Sequence, residues 1–552
     1  MAKNPASKRP ISRIGRAIDR AGKVAQQWFL YLNFRAIRSF EDVRKMPAEK
    51  GTVLMVSFTD WAPRLLLEGI VAAAFRARGY VPVMLTRRSH RWAERYFRAC
   101  GVDDFVFFDE RMRDAAKDVP EAEAMKLLDA NHSFAGLFSL RWNDIGIGRH
   151  VLSTIVRQLL QGSVSFGDPA VDALLKKFLP ESMRAGLAAH RLFDERKFDA
   201  VLFLEKGYTP YGELFDVAIE RGCNVIQYHH AHRSDLLNMK RYNVANRFRH
   251  PTSLSQASWD KIKTMPWTTA EENAFMEDMR RGYADGTWFN RKLLLDGKKL
   301  KTPDEVRAQL HLDPTKKTIV VFSHILWDAT FFFGTNLFED YEKWLVATVR
   351  AACQNTAVNW VIKLHPDYTW KMRQGGTTIT PRDAVALQSD IGQLPPHVQI
   401  VPPETDINTY SFFEVMDACV TVRGTIGIEA PCFGIPVLTA GTGRYDGLGF
   451  TDDSQTIEEY LAKLARIQDL PRLSPDRISL ARRHADALFR YRPLPFPSCP
   501  LVPIKRPDGS TDHELRTPLT TAADIAKAQD LGTLVDWVTQ SKEEDYLAPL
   551  PV

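Results

Sequence analysis

The chain is 552 residues long, 45% hydrophobic and 25% charged. It is too long for one ordinary core and too apolar for wholesale disorder, so two domains are expected. No run approaches the roughly 20 apolar residues of a spanning helix, and the start lacks a signal peptide's sustained apolar core, so a cytoplasmic address is expected. The six cysteines are scattered without a CxxC pair, which indicates neither a zinc site nor a disulfide framework.

The net charge of +6 is unevenly spread. Between Met1 and Lys45 only Asp19, Glu41 and Asp42 oppose many Lys and Arg. Residues Ser12 to Phe40 read as a basic amphipathic helix in which Ile14, Ile18, Trp28, Leu32 and Phe34 alternate with Arg13, Arg16, Arg20, Lys23, Arg35 and Arg38. Such a helix can lie in the anionic inner face of a membrane, or its apolar residues can dock on the protein itself. No nucleic-acid motif accompanies the charge.

From Gly51 the pattern is strand, helix, strand. Thr52–Ser57 and Val81–Leu85 are strand runs flanking an apolar helix from Pro63 to Arg78 that Gly79 closes. Phe105–Phe108, Asp199–Leu204 and Cys223–Tyr228 continue an open, mostly parallel α/β sheet, with helix around Val151–Leu160. A polar helical stretch from about Thr268 to Gln309 connects to a second alternation. Its strands are Lys317–Phe322, Asn359–Leu364, His397–Val401, Ala418–Val422 and Pro436–Thr439. Helices are expected at Phe338–Cys353, Tyr410–Met416 and from Gly427. After about Leu470 comes the proline-rich run Tyr491–Pro497 and a helix from Thr521 to Val538, a tail expected to cover the lobes. The resulting division is 1–45, 46–267, 268–309, 310–470 and 471–552.

Strand Asn359–Leu364 delivers His365, Pro366 and Asp367 to the carboxyl end of its sheet, where open α/β folds bind ligands. Pro366 stiffens the turn, so His365 can face a crevice and donate to a phosphate; it can equally cap the strand end. Arg423-Gly-Thr-Ile-Gly-Ile-Glu429 follows another short strand. Gly424 and Gly427 let backbone N–H groups approach an anion, Thr425 offers a hydroxyl, and Glu429 could accept ribose hydroxyls. Ser323 and His324 end the first strand of this half, with Asp328 just beyond, and Lys363 precedes His365. In the first half, Glu205 after strand Asp199–Leu204 is the first choice of general base; Asp60, His229 and His230 are alternatives. The histidines of His229-His-Ala-His232 have no carboxylate or cysteine partner that would make a metal site. No GxGxxG follows the first strand of either half, which disfavours an NAD enzyme.

Arg423–Glu429, with Phe433-Gly-Ile-Pro-Val437 and Ala440-Gly441, resembles the nucleotide-sugar lobe of GT-B glycosyltransferases. His324-Ile-Leu-Trp-Asp328, the run Leu337 to Trp344, Lys363-Leu-His-Pro366 and Val401-Pro-Pro-Glu-Thr405 with Thr409-Tyr410 resemble the capsule polysaccharide biosynthesis family, which includes capsule Kdo transferases. The resemblance covers most of Lys317 to Leu470, and Gly207-Tyr208-Thr-Pro-Tyr-Gly212 extends it faintly into the first half. It implies an α/β, GT-B-like fold: two Rossmann-like lobes facing a central cleft, with a basic N-terminal helix and a C-terminal extension. It also implies glycosyl transfer from a nucleotide sugar to a capsule or other surface polysaccharide or glycolipid, with no metal and no cofactor. Ser323, His324, Lys363, His365, Pro366, Arg423, Gly424, Thr425, Gly427 and Glu429 would serve the donor nucleotide, and Asp60, Tyr208, His229 and His230 the acceptor side. Catalysis would fall to Glu205 and His365. The His365-Pro366 element is similar to that of CMP-sugar-using transferases, so CMP is preferred; Gly424-Thr425 replaces their double serine and leaves UDP, GDP and CDP open. A nucleotide-sugar 2-epimerase and a non-catalytic glycan-binding or scaffold subunit are the alternatives.

Overall fold

The computed structural model describes residues 13–288, 297–365, 381–505 and 511–549. Six strands build the first lobe: β1 (Gly51–Val56), β2 (Tyr80–Thr86), β3 (Asp104–Phe107), β4 (Ala200–Phe203), β5 (Val225–His230) and β6 (Leu236–Tyr242). They lie in the order β6-β5-β4-β1-β2-β3, all parallel except β6, which runs antiparallel to β5. Both faces are covered, so these strands are continuously apolar rather than alternating. On one face lies the helix Ala62–Ala77, opened by Pro63 at its first turn and followed by Gly79 at φ +93°. On the other lie Ile147–Leu159 and the long helix Pro169–Glu195, whose Asp168 carboxylate accepts the N–H groups of Ala170 and Val171. Sequence pattern alone leaves β6 unassigned, because Asn238, Lys240 and Arg241 interrupt its apolar run.

The second lobe repeats the plan with β7 (Thr318–Phe322), β8 (Asn359–Lys363), β9 (Val398–Val401), β10 (Ala418–Thr421), β11 (Val437–Thr439) and β12 (Asp452–Asp453), in the order β12-β11-β10-β7-β8-β9 and wholly parallel. Two Rossmann-like sheets thus make up the molecule. Each changes direction of winding beside its first strand, between β1 and β4 and between β7 and β10, which creates a crevice at the carboxyl ends of those strands. The helix expected over Tyr410–Met416 is a single 3-10 turn, Thr409–Phe412. The one expected from Gly427 is only Ile426–Glu429, running into a 3-10 turn that contains Pro431 and closes on Gly434 at φ +75°. In the connecting region, Thr268 with Glu271 and Thr302 with Glu305 form capping boxes that start the helices Thr269–Ala284 and Pro303–Gln309.

The tail returns to the first lobe. After the helix Pro475–Asp486 on the second lobe, β13 (Leu494–Pro495) pairs antiparallel with β6, and the helices Ala522–Lys527 and Gln529–Gln540 pack on Ala62–Ala77. A hairpin of β14 (Leu501–Lys505) and β15 (Thr511–Leu515) lies between them. The return is fastened by a buried cluster in which Asp545 meets Lys240 at 2.8 Å and Arg492 at 3.0 Å. Burial alone would raise the Asp545 carboxyl, but Arg492 and Lys240 hold it far below the usual carboxylate range.

At the other end, the helix Arg13–Ile37 docks through its last turns, where Phe34 is buried against Phe40 and Tyr96, and Tyr31 packs on Tyr96. Its opposite face exposes Phe29 (65%) and Leu32 (58%), and Ile37 (59%) is exposed at its end. No helix among the described residues is long and apolar enough to cross a membrane.

Candidate active site

The crevice of the second lobe is a cavity of about 210 Å³ whose walls include His324 beyond β7, His365 beyond β8, and Arg423, Gly424 and Thr425 beyond β10. Arg444, from the loop after β11, completes the wall on that side, and His250 closes it from the first-lobe side. The Arg423 guanidinium is braced by the Thr335 carbonyl at 3.1 Å and the Asn336 side-chain oxygen. Arg444 donates to the Arg423 carbonyl at 3.2 Å. Arg423 Nε and Nη1 and Arg444 Nε remain buried without a hydrogen-bond partner among the described residues. Buried guanidinium donors left unmatched in this way are costly, and an anion in the cavity would satisfy them with charge-assisted bonds.

Two of the histidines around these cations, His324 and His250, are pushed toward the neutral form. His324 Nε2 accepts the Val422 N–H at 3.2 Å and meets Thr421 Oγ1 at 3.1 Å, which leaves the ring proton on Nδ1. Burial, with help from His365, Arg423 and Arg444, holds its pKa well below the ordinary value. The ring stacks on Tyr341 at 4.5 Å. His250 Nδ1 accepts the Thr252 N–H at 3.2 Å, so its proton sits on Nε2, and burial beside Arg444 and His229 depresses it in the same way. A positive cavity lined by neutral hydrogen-bonding rings suits a phosphate.

The turn Arg423–Glu429 works differently from the sequence expectation. Gly424 N donates to Thr421 Oγ1 at 3.2 Å and Gly427 N to the Gly424 carbonyl at 3.1 Å, so both glycine N–H groups are used inside the turn. Gly427 is required by contact: a Cβ there would stand 2.0 Å from Tyr445 Oη, which donates to the Gly424 carbonyl at 2.9 Å. Glu429 is buried beneath the turn, close enough to influence Arg444. Ser323 directs its N–H to the Lys363 carbonyl and its hydroxyl to Asp383, and the Lys363 ammonium lies 5.8 Å from the Phe322 ring centre. These three residues brace the crevice, whereas His324, His365, Arg423, Gly424 and Thr425 line it. Pro366 lies outside the described residues.

Across the cleft, Glu205 follows β4 beside the switch point of the first sheet. Its carboxylate accepts the Lys206 N–H at 3.1 Å and lies 3.9 Å from Arg157, which also reaches Asp328 of the second lobe at 3.5 Å. Tyr208 donates to Asp328 at 3.0 Å and accepts the Ala329 N–H at 3.0 Å. Glu205, Arg157, Tyr208 and Asp328 therefore form one polar bridge between the lobes, and Asp328 is itself a wall of the second-lobe cavity. Burial pushes the Glu205 carboxyl up, Arg64 and Arg157 oppose that, and the nearby Asp328 adds to it. The bridge is flanked by aromatic packing: Phe332 lies on Tyr208 at 5.0 Å and so close over Gly207 that a Cβ there would meet its ring at 2.1 Å.

The other acceptor-side residues separate. Asp60 accepts the N–H of Ala93 at 3.4 Å in the first turn of the helix Arg91–Ala99. His230 bonds the Cys499 carbonyl at 2.9 Å. His229 bonds the His230 carbonyl at 2.8 Å and lies near enough to Arg444 to feel its charge; burial chiefly lowers its pKa to about 4. No group of three metal-binding side chains occurs among the described residues. Two basic residues of the cavity, His250 and Arg444, carry no assigned role from sequence. Both had a signal: His250-Pro251 repeats the His365-Pro366 dipeptide, and Arg444 leaves the glycine-rich loop Gly441-Thr-Gly443.

Several solved structures are similar to this chain. The beta Kdo 2,4 transferase of Thermosulfurimonas dismutans KpsC shares 14% identity over 61% of this chain and 87% of that one, with a TM-score of 0.32. The beta Kdo 2,7 transferase of the same KpsC shares 17% over 63% and 89%, also at 0.32. The UDP-GlcNAc 2-epimerase of Neisseria meningitidis, bound to UDP-GlcNAc, shares 11% over 78% and 97%, at 0.25. No curated protein matches the sequence. Residues 283–474, which hold every second-lobe residue lining the cavity, match the family of capsule polysaccharide biosynthesis proteins.

Proposed function

We propose that this chain is a glycosyltransferase that takes a sugar from a nucleotide-activated donor and adds it to a growing capsule or other surface polysaccharide or glycolipid. The observation that carries the reading is the second-lobe cavity, where unmatched donors of Arg423 and Arg444 meet His365 and Thr425, opposite a first-lobe carboxylate linked to the same cavity through Arg157 and Asp328. Arg423, Arg444 and His365 hold the nucleotide phosphate next to the sugar. Glu205 takes the proton from the acceptor hydroxyl as that oxygen bonds to the anomeric carbon. The bond from that carbon to the phosphate oxygen breaks, its electron pair stays on the phosphate, and the two guanidiniums stabilise the charge. The donor proposed is a CMP-sugar such as CMP-Kdo, supported by the resemblance of His365-Pro366 to the matching element of CMP-sugar transferases.

Calorimetric titration with CMP, CDP, UDP and GDP tests the site, and product analysis with CMP-Kdo and saccharide acceptors tests the reaction. The expected result is CMP binding that weakens about 10- to 100-fold in Arg423→Gln, the loss of a charge-assisted bond. His365→Ala is expected to abolish transfer and keep the melting curve. Undiminished turnover by His365→Ala, or a donor epimer formed without acceptor, would overturn the reading.

The location proposed is the inner face of the cytoplasmic membrane, reached through the helix Arg13–Ile37. The exposed Phe29 and Leu32 support it, since apolar residues on one face of a basic segment favour an anionic lipid interface. Co-flotation with phosphatidylglycerol vesicles is expected for the intact chain and is expected to fall severalfold in Phe29→Ser/Leu32→Ser.

A further inference from the structure

A second cavity of about 160 Å³ lies in the first lobe, walled by Phe138, Arg141, Gly146, Arg149, His150 and Phe248. The Arg149 guanidinium stands between two rings, 4.1 Å from the centre of Phe138 and 4.5 Å from that of Phe248. Stacking of this kind fixes the plane of the group and leaves its N–H edge for hydrogen bonding. Among the described residues the Arg149 side chain makes no hydrogen bond and no ion pair.

The charges around it are otherwise accounted for. Asp216, which also borders the cavity, takes His150 Nε2 at 3.0 Å, the Gly146 N–H at 3.1 Å and Arg247 at 3.6 Å. Arg141 is tied to the Asp144 carbonyl and lies 3.9 Å from Glu220; Arg149 feels the opposite charge of Asp216 first and then the like charge of Arg141. The cavity thus presents one stacked guanidinium whose N–H edge has no direct partner among the described residues, with a second cation nearby. That arrangement matches a planar carboxylate, which can take two parallel N–H bonds from the fork.

Its position gives the cavity a role. Arg149 and Arg157 belong to the same helix, Ile147–Leu159. Eight residues of helix separate them by about 12 Å, and Arg157 is the residue that bridges Glu205 and Asp328. We propose that this cavity is an acceptor subsite for a carboxylate-bearing sugar, engaged through Arg149 and Arg141, one or more units behind the hydroxyl that reacts. The proposal rests on the transferase reading above and adds the class of acceptor, an acidic saccharide.

Calorimetry on the full chain tests it with a tetramer of galacturonic acid, its fully methyl-esterified form and inorganic phosphate. The free acid is expected to bind at least tenfold more tightly than the ester. Arg149→Met, which keeps the stacked aliphatic bulk, is expected to abolish that preference with unchanged melting and unchanged nucleotide affinity, and Arg149→Lys to restore part of it. Equal binding of acid and ester, a preference that survives in Arg149→Met, or competition by millimolar inorganic phosphate for the same site would overturn the assignment. Nucleotide binding without any acid preference defeats this proposal alone, whereas absence of nucleotide binding defeats the transferase reading.

Discussion

Glu205 and Asp328 share Arg157, but only Glu205 stands on the first-lobe side, the side proposed for the acceptor. Because burial raises its carboxyl, the group stays protonated to higher pH than an ordinary glutamate and is unable to accept a proton there. The rate of transfer is therefore expected to fall as pH drops through that raised value, with an acid limb above the usual glutamate range of about 4.3. Glu205→Gln is expected to lower kcat by about 10²- to 10⁴-fold, remove the limb and leave nucleotide affinity intact. A pH–rate profile of both proteins decides it; an unchanged limb would exclude Glu205 as the base. Arg444 belongs to this scale too. Sequence marks it only as the end of a glycine-rich loop, because nothing local says that the loop folds back over the β10 turn to place a second guanidinium beside Arg423.

The βαβ pattern from Gly51 and the second alternation from Lys317 were legible because buried parallel strands are unbroken apolar runs of four to six residues between helices. The same logic placed His365 and Arg423 at strand ends and so at the switch point. What escaped was set by contacts distant in sequence. β6 is a strand near the sheet edge whose polar residues Asn238, Lys240 and Arg241 hide it in sequence, with Lys240 and Arg241 bound by the tail, and the short helix after Gly424 is cut off by Pro431. Glu429 and Ser323 read as ligands from sequence, and only packing shows that they brace the crevice. The turn itself yields a test: Gly427→Ala drives a Cβ into Tyr445 Oη. It is expected to cost about 1–3 kcal/mol by overpacking and to displace Arg423. Urea melts would show the first effect and weakened nucleotide binding the second.

At the scale of the whole molecule, the lobes are joined by more than the connecting region. The loop after β7 puts Phe331 against Phe134 and Phe138 of the first lobe and Phe332 over Gly207, and the tail pins β6 through Lys240, Arg492 and Asp545. Removing one member of such a buried ionic cluster leaves uncompensated charge, so Asp545→Ala is expected to cost about 3–5 kcal/mol. The folded carboxyl titrates below its unfolded value, so the stabilisation is complete above about pH 4 and is lost as pH falls through the folded value. Denaturant titrations of both proteins at pH 7 and pH 3 measure the difference, which should shrink at the lower pH.

That clasp also sets an order of events during synthesis. Met239 of β6 takes its bond from Arg492, 253 residues further along the chain, and Asp545 emerges later still. A ribosome making this protein releases the first lobe's strands early, yet their outer edge stays open until the second lobe and nearly all of the tail have followed. Nascent chains stalled before residue 490 are expected to be cleaved by protease near β6 while the completed chain resists, so the half made first is the half finished last.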